Sequence, residues 1–112
     1  MSLVRVQSLA ALLALASILA ACAVNPVTGE RELSLLSKEQ EIQLGRESDP
    51  AIVAQYGVVE DEAIVGYVQD IGERMVPVSH RPDLPYTFRV LDDPVVNAFA
   101  LPGGYVYITR GI

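Results

Sequence analysis

Residues 61–76 carry apolar side chains at the spacing of an amphipathic helix. The positions that recur at i, i+4, i+7 and i+11 are Ile64, Val68, Ile71 and Met75. Such positions share one face of a helix, and Asp61 before them is a favourable N-cap residue. Gly72 lies inside this segment and costs about 1 kcal/mol relative to alanine unless close packing offsets it. The pattern predicts a helix that ends at Pro77 and turns Gly72 toward another element.

An upstream segment predicts a helix of a different character. Ser37 and Gln40 have the spacing of a capping box, in which each side chain bonds the backbone of the other, so the helix begins at Lys38. Its acidic side chains include Glu39, Glu41 and Glu47. They indicate a solvated outer face rather than a set of metal ligands. Asp49-Pro50 is expected to end or kink this helix, and Gly57 is a suitable closing residue for the segment that follows.

Three later segments alternate in the manner of β-strands, namely Tyr86–Leu91, Val95–Leu101 and Tyr105–Thr109. Pro102-Gly103-Gly104 separates the last two, and its fixed proline φ and permissive glycines predict a hairpin. Both faces of the hairpin are largely apolar, so we expect each to be covered. Since consecutive strands are usually neighbours, the economical fold is α+β, with two helices packed on a small antiparallel β-meander.

The first 21 residues have the pattern of a secretory signal peptide. Arg5 is followed by an apolar run from Leu9 to Ala21 in which Ser17 is the single polar residue. This run has thirteen residues, whereas a membrane-spanning helix needs about 20, so a cleaved leader is favoured over a membrane-spanning segment. Residues 1–21 are therefore predicted to be removed as a signal peptide.

The leader ends in Leu19-Ala20-Ala21-Cys22, which resembles the bacterial lipobox. That resemblance implies cleavage before Cys22 and acylation of this residue, which anchors the protein stably because each buried CH₂ contributes about 0.8 kcal/mol. In the enterobacterial pattern, an acidic residue after the cysteine retains a lipoprotein in the inner membrane. Ala23 stands at that position here, which favours anchoring on the periplasmic side of the outer membrane. The turn-rich sequence that follows makes residues 22–36 a lipidated cysteine and tether. An ordinary signal peptide that happens to precede a cysteine is the alternative.

Composition and charge restrict the chemistry of the chain. The net charge is −6, or −7 once Arg5 leaves with the leader, and no basic stripe occurs, so nucleic acid is not an expected partner. Protein zinc sites need three or four ligands, and the chain has one cysteine, Cys22, and one histidine, His80. His80 lies in a proline-rich loop and is expected on the surface. We therefore assign no catalytic residue and no metal ligand within residues 1–112.

The run N-A-F-A-L-P-G-G-Y-V-Y-I-T-R-G, from Asn97 to Gly111, resembles the segment before the zinc-binding helix in bacterial metallopeptidases related to HtpX, BepA and the CAAX prenyl proteases. The stretch N-P-V-T-G-E-R-E-L-S-L-L-S, from Asn25 to Ser37, resembles the start of the mature domain in lipoprotein members of that family. The family's next element is a helix with H-E-x-x-H, whose histidines bind zinc and whose glutamate is the general base. The sequence ends at Ile112, before that motif, so we expect a chain truncated ahead of its catalytic helix.

The resemblance implies that residues 37–112 form the N-terminal part of an incomplete metallopeptidase domain. The intact protein would be a membrane-anchored zinc metalloendopeptidase that acts on misfolded envelope proteins, with zinc as cofactor and polypeptides as substrates. The 112-residue chain would be inactive alone. The alternative is a non-catalytic envelope lipoprotein that binds extended polypeptides by strand addition.

In the resembling family, the edge strand of the small sheet holds the substrate by backbone hydrogen bonds. The residues expected to form or support this strand are Asn97, Phe99, Gly103, Gly104 and Tyr105. Either Val95–Leu101 or Tyr105–Thr109 could be the edge, and the sequence leaves this choice open. A purely structural role, as a turn-side amide and a core ring, is the alternative for Asn97 and Phe99.

Overall fold

The computed structural model describes Gln7, residues 22–24 and 31–33, and residues 35–112. For residues 22, 23 and 31–33 it describes the backbone alone. The predicted signal peptide, apart from Gln7, and much of the predicted tether lie outside the described residues, so both remain predictions. The chain divides into two units, Met1–Leu35 and Leu36–Ile112.

The first unit contains a short two-stranded sheet. Strand β1 (Cys22–Val24) pairs antiparallel with β2 (Arg31–Leu33), and Cys22 lies opposite Leu33. The predicted tether therefore includes regular backbone pairing, which its turn-rich sequence did not indicate. Acylation of Cys22 remains a prediction.

Helix α1 (Lys38–Tyr56) opens the second unit and begins where the sequence predicts. Ser37 Oγ accepts a hydrogen bond from Gln40 N at 3.2 Å, and Gln40 Oε1 accepts one from Ser37 N at 2.8 Å. This reciprocal pair is the predicted capping box. After the helix, Gly57 adopts a φ of 72° and donates its N–H to Val53 O at 2.9 Å, which confirms it as the closing residue.

The helix does not end at Asp49-Pro50, which was one of the two outcomes expected there. Pro50 lies inside α1, which continues to Tyr56. A proline in a helix interior costs about 3 kcal/mol because it lacks an N–H and crowds the preceding turn. Asp49 and Tyr56 both make tertiary contacts with the sheet, described below, and these contacts oppose the cost.

Helix α2 (Glu62–Met75) matches the predicted segment, and Asp61 accepts hydrogen bonds from two backbone N–H groups of its first turn. A 3₁₀ turn (Val76–Val78) follows it. Gly72 faces another element as expected, because a Cβ on Gly72 would lie 2.5 Å from the Phe88 ring. None of the helices that the structure describes has the length and hydropathy needed to cross a membrane.

The three-stranded sheet consists of β3 (Thr87–Leu91), β4 (Ala98–Leu101) and β5 (Tyr105–Thr109), in the spatial order β3-β5-β4. β4 and β5 pair antiparallel around the predicted hairpin turn, whereas β3 pairs parallel with β5. The α+β class is confirmed. The antiparallel meander is wrong, because the second strand of the hairpin, rather than the first, lies beside β3.

The connection between β3 and β4 permits this order. Residues 92–97 number six and reach roughly 20 Å when extended. The distance from β3 across β5 to β4 is two interstrand spacings, or about 10 Å. Chain length therefore allows either strand of the hairpin to pair with β3, and side-chain packing decides. Arg89 on β3 and Tyr107 on β5, which lie opposite each other, both bond to Asp49 of α1, and this shared contact favours β3 and β5 as neighbours.

The two faces of the sheet differ in how fully they are covered. Tyr107 and Leu91, both 0% exposed, lie on the face toward α1, while Phe88 on the other face packs against α2. The second face also carries Ala98, Ala100, Val106 and Ile108, and we call these four residues the open face. Its alanines are exposed and its Val and Ile are half-buried. Among the described residues, the covering is therefore fuller on the α1 side than on the open face.

Candidate substrate-binding edge

β4 is the open edge of the sheet. β5 has a strand on each side, so Tyr105–Thr109 is the central strand. The outer side of β3 is partly occupied, because Val59 N donates to Val90 O at 2.9 Å and Asp92 N donates to Gly57 O at 3.1 Å. Within residues 35–112, no strand pairs with the outer side of β4. The structure thus identifies the edge that the sequence left open.

The free backbone groups of this edge belong to Ala98 and Ala100. In an antiparallel ladder, alternate residues bond the partner strand and the residues between them point away. Thr109 N donates to Asn97 O at 3.0 Å, so the next residue that bonds to β5 through its backbone is Phe99, which lies in register with Tyr107. The backbone N–H and C=O groups of the two alanines therefore point away from β5. Sequence pattern did not single out these alanines, because their role depends on backbone direction and not on side-chain chemistry.

Thr109 fixes the start of β4. Its residue surface is 3% exposed, and its Oγ1 donates to Val95 O at 2.5 Å and accepts from Asn97 N at 3.0 Å. Asn97, a predicted site residue, is therefore held through its backbone just before β4. This role of Thr109 was not predicted. The sequence does place its hydroxyl among apolar side chains on one side of an alternating strand, and a buried hydroxyl needs a hydrogen-bond partner.

Gly103 and Gly104 form the hairpin turn with φ values of 84° and 89°, a region that favours glycine. Both residues are buried. Gly103 N donates to Glu41 Oε1 at 3.3 Å, and a Cβ on Gly103 would lie 2.7 Å from Ile42 Cα. The turn is thus packed on the first turns of α1. Glu41 is half-buried there and also pairs with Arg81, so the expectation of a solvated side chain is wrong for Glu41.

The two aromatic candidates, Phe99 and Tyr105, lie against α1. The Phe99 ring stacks on Tyr107, with centroids 4.9 Å apart and planes 20° apart, and its centroid is 6.1 Å from that of Tyr56. Tyr105 is half-buried at the start of β5, where a Cβ on Gly45 would lie 2.7 Å from its ring. Phe99 is half-buried and supports the edge strand from the covered face, and its role toward a substrate remains a prediction.

Asp49 is a buried carboxylate beneath the centre of the sheet, 7% exposed. Arg89 Nε donates to Oδ1 at 2.7 Å, Arg89 Nη2 donates to Oδ2 at 2.6 Å, and Tyr107 Oη donates to Oδ1 at 2.7 Å. The bonds from Arg89 lower the pKa of Asp49, although burial opposes them. Burial raises the pKa of Tyr107, and its bond to Asp49 adds to the rise. No local pattern in the sequence indicates this network, because its members lie far apart along the chain.

An apolar groove of about 410 Å³ runs between α2 and the open face. Its lining includes Ile71, Met75, Val78, Phe88, Val106 and Ile108. Met75 is 61% exposed and Val78 is 85% exposed. A second hollow, of about 480 Å³, continues along α2 past Ile64 and Tyr67. Contiguous apolar exposure of this kind marks a surface that is stabilised by contact with a further element.

The described residues do not provide a metal site. Among them, no group of three or more histidine, cysteine, aspartate or glutamate side chains is arranged to hold a metal ion. His80 is exposed. Zinc, which the resemblance implies, therefore has no fitting set of ligands in this part of the chain, and no hydrolytic step is assigned to these residues.

Comparison with known proteins relates the chain to metallopeptidases. Residues 63–112 match the family model described as Peptidase family M48. The chain is 29% identical over 90 residues to "Mitochondrial metalloendopeptidase OMA1" of Schizosaccharomyces pombe, which covers 78% of this chain and 27% of the relative. It is 30% identical over 79 residues to "Putative beta-barrel assembly-enhancing protease" of Vibrio cholerae, which covers 70% of this chain and 16% of the relative. "Metalloendopeptidase OMA1, mitochondrial" of Danio rerio is 23% identical over 95 residues, which covers 79% of this chain and 20% of the relative.

The region that matches the family contains nearly all of α2 and the whole three-stranded sheet, and so includes the open edge. The chain spans less than a third of the length of these relatives. The family match and the relatives together support a relationship to the M48 metallopeptidases, in agreement with the resemblance carried by residues 97–111.

Proposed function

We propose that this chain is the N-terminal portion of a membrane-anchored M48 zinc metalloendopeptidase that acts on misfolded envelope proteins. The observation that carries the proposal is the position of β4, an open strand edge beside an uncovered apolar face, inside the region that matches the peptidase family. In this proposal β4 binds the substrate. The zinc ligands and the general base belong to residues outside the 112 of this sequence.

The edge suits an extended polypeptide of varied sequence. The outward N–H and C=O groups of Ala98 and Ala100 can bond a peptide backbone whatever its side chains, as in other cases of strand addition. An unfolded chain offers free backbone for such bonds, whereas a folded protein uses its backbone groups internally. Selectivity for misfolded proteins therefore follows from the kind of group that β4 presents.

The apolar open face favours a covering helix in the intact protein. Val106 and Ile108 are half-buried, and the groove beside them is bordered by the exposed side chain of Met75. Burying apolar surface stabilises by about 25 cal/mol per Å², so a helix with an apolar stripe would gain by covering this face. We infer that a helix from outside these residues lies here, adjacent to β4.

The leader supports a location in the cell envelope. Leu19-Ala20-Ala21-Cys22 has the lipobox pattern, and a lipid on Cys22 would hold the peptidase on the periplasmic side of the outer membrane. The name of the Vibrio cholerae relative refers to β-barrel assembly, while the other two relatives are named as mitochondrial. The lipobox pattern and the bacterial relative favour the envelope for this chain.

The test uses the protein from the complete coding sequence that contains these residues. We expect it to cleave casein, an unfolded polypeptide, with zinc supplied and to stop when a chelator is added. Ala98→Pro removes an outward N–H without removing a bond to β5, so the KM for casein should rise about tenfold. Ala98→Val keeps the N–H and is the matched control. Absence of chelator-sensitive cleavage, or an equal KM for the two variants, overturns the proposal.

The same assay on residues 23–112 alone separates the binding part from the catalytic part. We expect no casein hydrolysis by this piece with zinc supplied. Chelator-sensitive cleavage by it would contradict the assignment of zinc ligands to residues outside this sequence.

The second candidate is a non-catalytic envelope lipoprotein that binds extended polypeptides. The open edge of β4 favours it equally, because strand addition needs no metal. Two observations distinguish the candidates. An H-E-x-x-H motif encoded in frame after codon 112 supports the peptidase. Casein binding without cleavage by the complete protein supports the lipoprotein.

A further inference from the structure

We infer that Asp49 is a positioning residue for the substrate-binding edge and that it acts on β4 through Tyr107 and Phe99. This inference rests on the proposed function of β4. Asp49 lies on α1, below the covered face, and does not belong to the edge itself. Its effect on substrate binding would therefore be indirect, through the placement of the strand.

The turn after β4 is held on α1 at Gly103, but within β4 itself few contacts can fix the height of the strand above that helix. It is four residues long, β5 is its one partner strand among the described residues, and its Ala98 and Ala100 are exposed on the open face. The covered face must therefore determine its position. On that face the Phe99 ring stacks on Tyr107, with centroids 4.9 Å apart, and lies near Tyr56 at 6.1 Å.

Asp49 in turn determines where the Tyr107 ring lies. Tyr107 is 0% exposed, and its hydroxyl donates to Asp49 Oδ1 at 2.7 Å. Arg89 binds the same carboxylate through two N–H groups, at 2.7 and 2.6 Å. A bidentate pair of guanidinium and carboxylate is directional, so the carboxylate has a fixed orientation between the two neighbouring strands. α1, β3 and β5 are thereby joined at the Asp49 carboxylate. Phe99 of β4 stacks on Tyr107, which belongs to this network.

Stability alone does not require a network of this kind. Apolar residues of similar volume in place of a buried ion pair often give an equally stable protein. Apolar contacts are not directional, however, and leave the sheet freer to shift over the helix. A surface that is already in its binding conformation loses less entropy when the ligand binds. The directional network therefore favours peptide binding at β4.

The experiment measures KM, kcat and Tm of the complete protein with casein as substrate. Asp49→Asn keeps the size of the side chain and removes its charge, and we expect KM to rise about tenfold with kcat close to that of the parent. Tyr107→Phe keeps the stacked ring and removes the bond to Asp49, so its KM should rise in the same direction by a smaller factor. Because the two residues act along one path, the KM of the double variant should not exceed the KM of Asp49→Asn.

Two controls separate positioning from stability. Leu91→Val alters a fully buried residue of β3 outside the network and should lower Tm while leaving KM unchanged. Glu47→Gln alters an exposed carboxylate on α1, the same helix as Asp49, and should change neither quantity. If Asp49→Asn fails to fold, Tyr107→Phe carries the comparison.

The possible results distinguish the positioning role of Asp49 from the proposed function of β4. A parent protein that cleaves casein, with variants that lower Tm and leave KM unchanged, overturns the positioning role of Asp49 and leaves the proposed function intact. A parent protein that neither binds nor cleaves casein overturns the proposed function and, with it, this inference. A raised KM in both network variants, absent in Leu91→Val, supports both.

Discussion

Gly45 of α1 lies directly beneath Pro102 of the turn between β4 and β5. A Cβ on Gly45 would overlap the carbonyl oxygen of Pro102 and would lie 2.7 Å from the Tyr105 ring. Helix and turn thus meet with no side chain between them. The same helix contacts the hairpin again through Asp49 and Tyr56, so α1 supports the hairpin along its covered face.

Gly45→Ala should therefore destabilise the fold even though alanine is the better helix former. Overpacking a close contact costs about 1–3 kcal/mol, and the helix preference returns up to about 1 kcal/mol, so we expect a net loss of about 1–2 kcal/mol. Urea unfolding of the chain without its leader, followed by circular dichroism, measures it. A midpoint equal to or above that of the parent would show that α1 and the turn are further apart.

Gly66→Ala is the matched control for this prediction. Gly66 lies in α2, and a Cβ there would point into open space, with no side chain or other element of the described residues within 4 Å. The substitution should raise the free energy of unfolding by about 0.5–1 kcal/mol through helix preference and chain entropy. Opposite signs for the two glycines would attribute the loss at Gly45 to its contact with Pro102.

The Asp49 network should make the fold sensitive to acid. Hydrogen bonds from Arg89 lower the pKa of Asp49 below its usual 3.8, so the folded state binds fewer protons at this carboxyl than the unfolded state. The stabilisation is fully present above about pH 4 and is lost as the pH falls through the folded pKa. Asp49→Asn should lower stability by about 2–4 kcal/mol at pH 7, and the difference from the parent should shrink below pH 4. Urea unfolding from pH 7 down to pH 2.5 measures both curves, and a constant difference would contradict the assignment.

Tyr107 should make the fold sensitive to alkali. Burial raises the pKa of its hydroxyl above the usual 10.0, and the bond to Asp49 raises it further. A group with a raised folded pKa stabilises fully below its unfolded pKa, and this contribution is lost as the pH rises above about 10. Tyr107→Phe has no proton to lose there and should cost about 1–2 kcal/mol at neutral pH. Its unfolding free energy should then fall less than that of the parent between pH 9 and 11.5, and parallel curves would count against a buried hydroxyl.

Cys22→Ser should release the protein from the membrane. Serine has no thiol for acylation, so the substitution removes the anchor that the lipobox implies. Fractionation of cells that express the complete protein, with detection of the mature chain, measures the shift from the membrane fraction to the soluble fraction. Persistence of the variant in the membrane fraction would contradict the lipobox interpretation.

Local structure followed from the sequence wherever neighbours in the chain make the interaction. The capping box of Ser37 and Gln40 joins residues three apart, and the conformation of Gly103 is a property of the turn itself. The end of α1 did not follow, because the local cost of Pro50 is opposed by Asp49 and Tyr56 through contacts with strands much later in the chain. Propensity decides only where tertiary contacts do not oppose it.

The sequence by itself determined α2, the start of α1, the hairpin and, through the run from Asn97 to Gly111, the resemblance to a peptidase family. Tertiary structure alone decided that β5 is central, that β4 is the free edge, and that Asp49, Arg89 and Tyr107 meet beneath them. Periodicity reports which side of an element is apolar, whereas strand order depends on which distant side chains bond one another once the chain has folded.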